Sequence, residues 1–296
     1  MLWGIDLGGT KIEGAVLRSQ TDHQPLCRIR HGTEAHRGYA HIVDRIVLLV
    51  RKMEEATGLK PDAIGIGTPG TVDPPTGLMK NCNTTCLNGQ PLLGDLRAAL
   101  GVPIEIANDA NCFALAESLM GAAIGCEVVF GTIMGTGVGG GLVVNGRMIR
   151  GAQGIAGEWG HNFLDPEGPP CYCGKHGCVE NAISGPATEA WYARMTGLKL
   201  TLKEIHRRHR EGSDPMATAT VRRLCEKFGE AISVVLNIVD PQAVVLGGGV
   251  GNIDELLTWG VESARRHVFN NRLDTRFLKP SLGDSAGVFG AAMLVA

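Results

Sequence analysis

Short apolar runs alternate with amphipathic stretches along the chain. Positions 3–7, apart from Asp6, and positions 63–67 lack charged residues, and these short apolar runs predict buried strands. In residues 42–53 the apolar positions recur at helical spacing, and Gly58 is placed to end that helix. Further helices are predicted at 110–123 and 215–239, with a strand at 128–134. Strands that alternate with helices indicate the α/β class.

A weak internal repeat suggests two domains of related design. Each half contains a strand, a glycine-rich turn and a second strand, with Gly8-Gly9-Thr10 in the first half and Gly135-Thr136-Gly137 in the second. We therefore expect an N-terminal domain over residues 1–107 and a C-terminal domain over residues 108–283. The final helix, about residues 284–296, is expected to fold back onto the first domain.

Composition and charge narrow the function. The hydrophobic fraction is 44% and the charged fraction 20%, as in ordinary globular proteins. A net charge of −2 provides no basic field for nucleic acid or an acidic membrane surface, so neither is expected as a partner. Asp6 interrupts the first apolar run and no targeting signal is recognisable, so we expect a cytoplasmic protein.

The glycine-rich turns are candidate phosphate-binding sites. Without Cβ atoms the backbone can approach a ligand closely and direct its N–H groups at phosphate oxygens. Thr10 and Thr136 add hydroxyl donors, Lys11 adds a positive charge, and a third glycine run begins at Gly247 and Gly248. The alternative interpretation is that these are only tight hairpin turns.

Two familiar nucleotide motifs are excluded. Residues 4–11 lack the Gly-Lys-Ser/Thr ending of a P-loop, and a strand follows where that motif requires a helix. Gly135, Gly137 and Gly140 fit the spacing of a dinucleotide fingerprint, but Asn145-Gly146 predicts a hairpin next. An NAD-dependent oxidoreductase is therefore disfavoured.

A cysteine cluster indicates metal binding. Three of the nine cysteines, Cys171, Cys173 and Cys178, lie within eight residues, and His161 precedes them by ten. Three thiolates and one imidazole form the closed donor set of a structural Zn²⁺ site. Free thiols in a loop are the simpler alternative.

Several carboxylates are candidates for catalysis and substrate binding. Asp109 follows a predicted strand and opens a helix, where it could accept a proton from a hydroxyl group or act only as a helix cap. Glu158, His161 and Glu180 flank the cysteines, so a bound metal would hold all three in one rigid unit. A solvated carboxylate is the alternative for Glu180.

Together these motifs resemble the ROK family (repressors, open reading frames and kinases). The resemblance runs in order from residue 4 to about residue 292. It implies an α/β, actin-like (ribonuclease H-like) two-domain sugar kinase fold with ATP in an interdomain cleft. The segments that carry the resemblance are residues 6–11, 108–111, 135–139, 157–161, 171–178 and 245–249.

The resemblance also assigns roles to individual residues. It implies that Asp109 is the general base and that His161, Cys171, Cys173 and Cys178 bind zinc. The implied sugar ligands are Asn83, Asn108, Asp109, Glu158, His161 and Glu180. The implied ATP contacts, with Mg²⁺ near Asp6, are Asp6, Gly8, Gly9, Thr10, Lys11, Gly135, Thr136, Gly137, Gly247 and Gly248.

Within that family, residues 80–91 look most like those of bacterial fructokinases and mannofructokinases. We therefore expect ATP-dependent phosphorylation of fructose at its primary hydroxyl, with mannose or glucose as further acceptors, by a homodimeric enzyme. Cys86 stands where an aromatic residue is expected, and the spacer from His161 to Cys171 is short. An N-acetylhexosamine kinase, a glucokinase and a sugar-sensing protein without catalysis are the alternatives.

Overall fold

The structure, a computed structural model, describes residues 1–296 as two five-stranded sheets, a small two-stranded sheet and surrounding helices. The strands are β1 (Leu2–Leu7), β2 (Lys11–Leu17), β3 (Cys27–Gly32), β4 (Ile64–Thr68), β5 (Thr71–Val72), β6 (Met79–Lys80), β7 (Ile104–Asn108), β8 (Val128–Met134), β9 (Val138–Val144), β10 (Arg147–Met148), β11 (Ala243–Gly247) and β12 (Arg276–Leu278). The helices are α1 (Tyr39–Thr57), α2 (Leu92–Leu100), α3 (Asp109–Leu119), α4 (Glu180–Ile183), α5 (Gly185–Thr196), α6 (Leu202–Glu211), α7 (Pro215–Val239), α8 (Gly248–Gly251), α9 (Trp259–His267) and α10 (Ala286–Met293).

The chain divides into two compact units. The first contains residues 1–125, 141–156 and 281–296, and the second contains residues 126–140 and 157–280. This division differs from the expected boundary at residue 107, because α3 packs against α10 inside the first unit. Residues 108–125 and 141–156 therefore belong with the N-terminal residues.

The sheet of the first unit brings three strand ends to one edge. Its order is β3-β2-β1-β4-β7, with β1, β4 and β7 mutually parallel and β2 and β3 antiparallel. Asp6 is in register with Gly67, and Thr68 is in register with Asn108. Because parallel strands end at the same edge, the chain delivers Asp6, Thr68 and Asn108 to neighbouring positions.

Apolar side chains of β1, β4 and α1 form the core of this unit. Trp3, Ile5, Ile64 and Ile66 are fully buried on the central strands. On α1 the buried positions recur at three- and four-residue spacing, as the sequence predicts. They are Ile42, Ile46, Leu49, Val50 and Met53.

The C-terminal helix α10 packs at backbone distance on the same unit. A Cβ atom added to Gly65 would lie 1.8 Å from the Ala291 carbonyl oxygen, and one added to Gly290 would lie 1.8 Å from the Cys112 carbonyl oxygen. Only glycine permits such contacts, so α10 is fixed by close packing against β4 and α3.

The second unit contains the remaining parallel strands and most of the helices. β11 pairs in parallel with β8 on one side and with β12 on the other. The sheet that includes them follows the order β10-β9-β8-β11-β12. The 25-residue helix α7 packs against α5, α6 and α9. No helix in the structure has the length and apolar content needed to cross a membrane.

Several elements differ from the sequence prediction. The strands β3 and β12 were not predicted, because charged residues interrupt their apolar pattern. The sequence of residues 182–195 predicts one helix, which the structure breaks at Ser184. The Ser184 hydroxyl accepts a hydrogen bond from the Ala187 backbone N–H at 3.3 Å. Ser184 with Pro186 thus starts a new helix, α5.

We predict that Gly65→Ala destabilises the protein by about 1–3 kcal/mol or more, because the new methyl group overlaps the Ala291 backbone. Gly94→Ala is the matched control. Gly94 lies within α2 with no heavy atom within 4 Å of an added Cβ, so the substitution should stabilise the helix by up to about 1 kcal/mol. Urea unfolding measures both, and equal effects would contradict the packing described for α10.

Candidate functional site

In the first unit, residues 8–10 form a tight turn between β1 and β2. The Gly8 backbone N–H donates to the Lys11 carbonyl at 2.9 Å. Thr33, which is fully buried, holds the turn from outside. Its hydroxyl donates to the Gly8 carbonyl at 2.6 Å, and its backbone N–H donates to the Thr10 carbonyl at 3.0 Å. The carbonyls are thus paired within the protein, while Gly9, Thr10 and Lys11 are exposed.

Two carboxylates at the edge of this sheet, those of Asp6 and Asp109, repel each other electrostatically. Burial, followed by the charges of Asp109 and Glu13, raises the pKa of Asp6 from its usual value near 3.8 to about 6. Glu13 is itself buried and is paired with Arg28 and Arg30. Carboxylates that repel each other at one edge of a sheet would be stabilised by a bound cation.

Asp109 is the first residue of α3 and is exposed. The Ala110 backbone N–H lies 2.8 Å from an oxygen of Asn108 and 2.8 Å from an oxygen of Asp109. Asn108 is the N-cap that orients the helix start, so Asp109 need not serve as the cap.

The loop before α2 approaches the same turn. Asn83 is exposed, and its backbone N–H donates to the Pro69 carbonyl at 3.4 Å. The neighbouring Thr84 is buried, and its hydroxyl would lie 3.5 Å from a Cβ on Gly9. The structure therefore places Thr84, the neighbour of Asn83 in the sequence, beside the Gly8–Lys11 turn.

In the second unit, residues 135–137 form the corresponding turn between β8 and β9. The Gly135 N–H donates to the Gly137 carbonyl at 2.8 Å, and the Gly185 N–H donates to the Gly135 carbonyl at 2.8 Å. The second bond attaches the start of α5 to the turn.

The residues around the cysteine cluster hold the beginning of β9. Glu180 accepts a hydrogen bond from the Val138 backbone N–H at 2.8 Å. The Trp159 indole N–H donates to the Gly139 carbonyl at 2.9 Å, and a Cβ on Gly160 would lie 1.9 Å from the Val138 carbonyl oxygen. Glu180, which was expected to bind sugar, therefore also fixes the glycine turn.

A cavity of about 740 Å³ opens beside this turn. Gly135 and Thr136 line one part of it and Gly249 another. Gly247 and Gly248, the expected adenosine contacts, end β11 and begin α8, and it is the next glycine that lines the cavity. No sequence motif predicts that the other lining residues meet here. They are Gly185, Pro186, Glu189, Leu202, Lys203, His206, Val250, Asn252 and Ile253.

The predicted metal ligands converge. The donor atoms of His161, Cys171, Cys173 and Cys178 all lie within 4.8 Å of one another. The sulfurs of Cys173 and Cys178 are 3.6 Å apart, and Cys171 Sγ is 3.6 Å from His161 Nδ1. A disulfide requires about 2.05 Å. Tetrahedral zinc with Zn–S bonds of about 2.3 Å places its sulfurs about 3.8 Å apart, so the spacing fits a closed zinc site.

The histidine is oriented from its other side. His161 Nε2 lies 3.0 Å from the Tyr172 hydroxyl, in the position where a sugar hydroxyl was expected. Partial desolvation, followed by the charge of Glu180, raises the pKa of Tyr172 to about 12, while 81% of the residue's surface is exposed. Burial also raises the pKa of Glu158, with His161 opposing and Glu180 adding to the effect.

We predict that Asp6→Asn stabilises the unliganded protein at pH 8 by on the order of 2–3 kcal/mol, because it removes a charge that burial disfavours. The folded pKa is raised, so the penalty in the wild type is full above about pH 6 and disappears as the pH falls towards 3.8. Urea unfolding at pH 8 and near pH 3.8, without nucleotide or divalent cations, measures the difference in unfolding free energy between the variant and the wild type. Asp44→Asn, on the exposed face of α1, is the control. A gap that does not depend on pH would contradict the assigned pKa.

Similar proteins share this architecture along the whole chain. An N-acetyl-D-glucosamine kinase from Aliivibrio fischeri is 35% identical over 304 residues, covering 99% of each chain. The crystal structure of a ROK hexokinase from Thermus thermophilus has a TM-score of 0.88 at 34% identity, covering 99% of this chain and 96% of that one. A ROK glucokinase from Streptomyces griseus, solved with glucose and AMPPNP, has a TM-score of 0.80 at 31% identity, with 99% and 98% covered.

These likenesses confirm the expected actin-like, two-domain α/β sugar kinase fold. They do not support the predicted closeness to fructokinases, because the similar relative is an N-acetyl-D-glucosamine kinase. The model of the ROK family matches residues 2–296, and the chain therefore belongs to the ROK family.

Proposed function

We propose that this protein is an ATP-dependent hexose kinase that transfers the γ-phosphoryl group to the primary hydroxyl of its sugar. The observation that carries the proposal is the 35% identity to a kinase along 99% of both chains. The chain also retains an exposed carboxylate, Asp109, at the start of α3.

The cavity of the second unit suits the nucleotide. Its volume of about 740 Å³ accommodates an adenosine group, and Leu202, Val250 and Ile253 give it apolar walls. Thr136, which lines the same cavity, offers its backbone N–H and its hydroxyl to phosphate oxygens. The AMPPNP in the similar Streptomyces griseus structure supports ATP as the donor.

In the proposed reaction, Asp109 accepts the proton of the sugar hydroxyl as its oxygen bonds to the γ-phosphorus and ADP leaves. Phosphoryl transfer depends mainly on positioning and on charge stabilisation, so a base of this kind contributes about 10²–10⁴ in rate. Mg²⁺, when bound, would neutralise the phosphate charge. Asp6, whose pKa is raised by burial and then by the charges of Asp109 and Glu13, would face that cation, directly or through water.

We propose that zinc bound by His161, Cys171, Cys173 and Cys178 is structural. Three thiolates and one imidazole leave no open coordination position for a reacting water. The role of the site is to order residues 157–180, which include Glu158, His161 and Glu180. Glu158 then stays available to bind hydroxyl groups of the sugar, and His161 would do so through Nε2, in exchange for the Tyr172 hydroxyl.

N-acetyl-D-glucosamine is the first candidate acceptor, because the 35% identical relative from Aliivibrio fischeri is a kinase for that sugar. Fructose is the second candidate. One observation favours it, namely residues 80–91, which look like those of fructokinases. This segment includes Asn83, whose neighbour Thr84 lies beside the Gly8–Lys11 turn.

A panel of acceptors tests the proposal. We predict that N-acetyl-D-glucosamine gives a higher kcat/KM than fructose, glucose and mannose when ADP release is coupled to a spectrophotometric assay and the product is identified by mass. The physical reason is that a pocket built for an amide leaves polar groups unpaired with other sugars. A higher kcat/KM for fructose would transfer the assignment to the second candidate. The absence of any phosphorylated sugar product would overturn the kinase proposal.

Asp109→Asn is the internal control for the chemistry. It should lower kcat by at least about 10²-fold while the sugar still binds, since only proton acceptance is removed. Asp62→Asn, an exposed carboxylate before β4, should leave kcat unchanged. Near-normal turnover in Asp109→Asn would remove Asp109 from the role of base.

A further inference from the structure

Two histidines of α6 share one carboxylate beside the cavity of the second unit. His206 Nε2 is 2.8 Å from Glu255 Oε2, and His209 Nε2 is 3.2 Å from Glu255 Oε1. All three side chains are mostly buried, with 18%, 13% and 16% of their surfaces exposed for His206, His209 and Glu255. A carboxylate only accepts hydrogen bonds, so each Nε2 carries the proton that it donates.

The two rings then differ at Nδ1, which is an acceptor in the neutral imidazole. For His209, the Thr218 hydroxyl lies 3.0 Å from Nδ1 and Trp259 packs against the ring. That histidine is satisfied within the protein. His206 instead lines the cavity, and no protein group donates to its Nδ1.

The composition of the cavity makes this acceptor conspicuous. Pro186, Leu202, Val250 and Ile253 supply apolar surface suited to the faces of a flat aromatic base. Glu189, Lys203 and Asn252 line the same cavity. A His206 ring whose Nδ1 lone pair faces the base selects a ligand with an N–H donor at its edge. A ligand with an oxygen there would bring two acceptors together, at the cost of an unmade hydrogen bond.

We propose that His206 recognises the 6-amino group of adenine and thereby selects adenine over 6-oxopurine nucleotides. The inference rests on the proposed function, since it takes ATP to be the ligand of this cavity. The purine N–H donates to His206 Nδ1, while a 6-oxo base presents a carbonyl oxygen to the same lone pair.

Glu255 acts as a positioning residue. It belongs to a 3-10 turn, Asp254–Leu257, that also buries Leu256 in the core. By accepting from Nε2 it fixes the tautomer of His206 and directs the acceptor nitrogen away from itself. A glutamine at this position can donate instead of accept, which would allow the opposite tautomer.

Comparison of ADP with inosine diphosphate tests the assignment, because the two differ only at the 6-position, amino against oxo, and at N1, which carries a proton only in the 6-oxo base. Calorimetry at pH 8 gives both dissociation constants. We expect the wild type to bind ADP at least about 10-fold more tightly, which corresponds to one hydrogen bond gained against one unmade. His206→Ala should reduce this preference to less than about 3-fold, and Glu255→Gln should also narrow it.

His209→Ala is the matched control, because His209 bonds the same carboxylate but does not line the cavity. It should keep the full preference for ADP, and thermal unfolding of each variant confirms that it is folded. If His206→Ala is unfolded, the result for Glu255→Gln decides. A folded variant of either residue that retains the wild-type preference overturns the inference.

The same proteins separate this inference from the proposed function. Preference for ADP without phosphorylation of any hexose would contradict the kinase activity alone. Hexose phosphorylation with equal kcat/KM for ATP and inosine triphosphate would contradict the role of His206 alone.

Discussion

Four side chains that meet at one point organise the second unit. The segment from His161 to Cys178 has few buried apolar residues, so its own core contributes little to its order. Its donor atoms nevertheless lie within 4.8 Å of one another. Zinc binding in small peptides contributes about 10–16 kcal/mol, which is enough to order a segment of this kind. From this point Cys178 leads directly to Glu180, whose carboxylate holds Val138 at the end of the Gly135–Gly137 turn. The proposed metal site and the proposed phosphate turn are thus one connected structure.

The first unit solves a similar positioning problem without a metal. Parallel β1, β4 and β7 bring Asp6 and Asn108-Asp109 to one edge, and buried Thr33 fixes the turn after β1 from behind. The raised pKa of Asp6 reflects first the burial of this carboxylate and then its nearness to Asp109 and Glu13. Such local destabilisation is typical of sites whose favourable partner is a ligand. Close packing of α10 through Gly65 and Gly290 keeps this edge fixed.

The local motifs could be predicted because their chemistry is contained in short stretches of sequence. The cysteine cluster, both glycine turns and the helix start at Asp109 were read directly from neighbouring residues. The division into units could not, since α3 packs against a helix that is more than 160 residues away in the sequence. The same applies to the strand β3, whose Arg28 and Arg30 look solvent-exposed until the buried Glu13 of β2 is seen opposite them. His206 lies on the polar helix α6, and only the structure shows that it also lines a cavity. The choice of sugar depends on pocket shape, which motifs do not encode.

X-ray absorption at the zinc edge of the purified protein shows whether zinc is bound by the three cysteines and the histidine. We predict one zinc per chain with three sulfur ligands at about 2.3 Å and one nitrogen at about 2.0 Å. Protein that is folded and active without zinc, or zinc bound mainly by oxygen ligands, would contradict the claim that this cluster holds the site together.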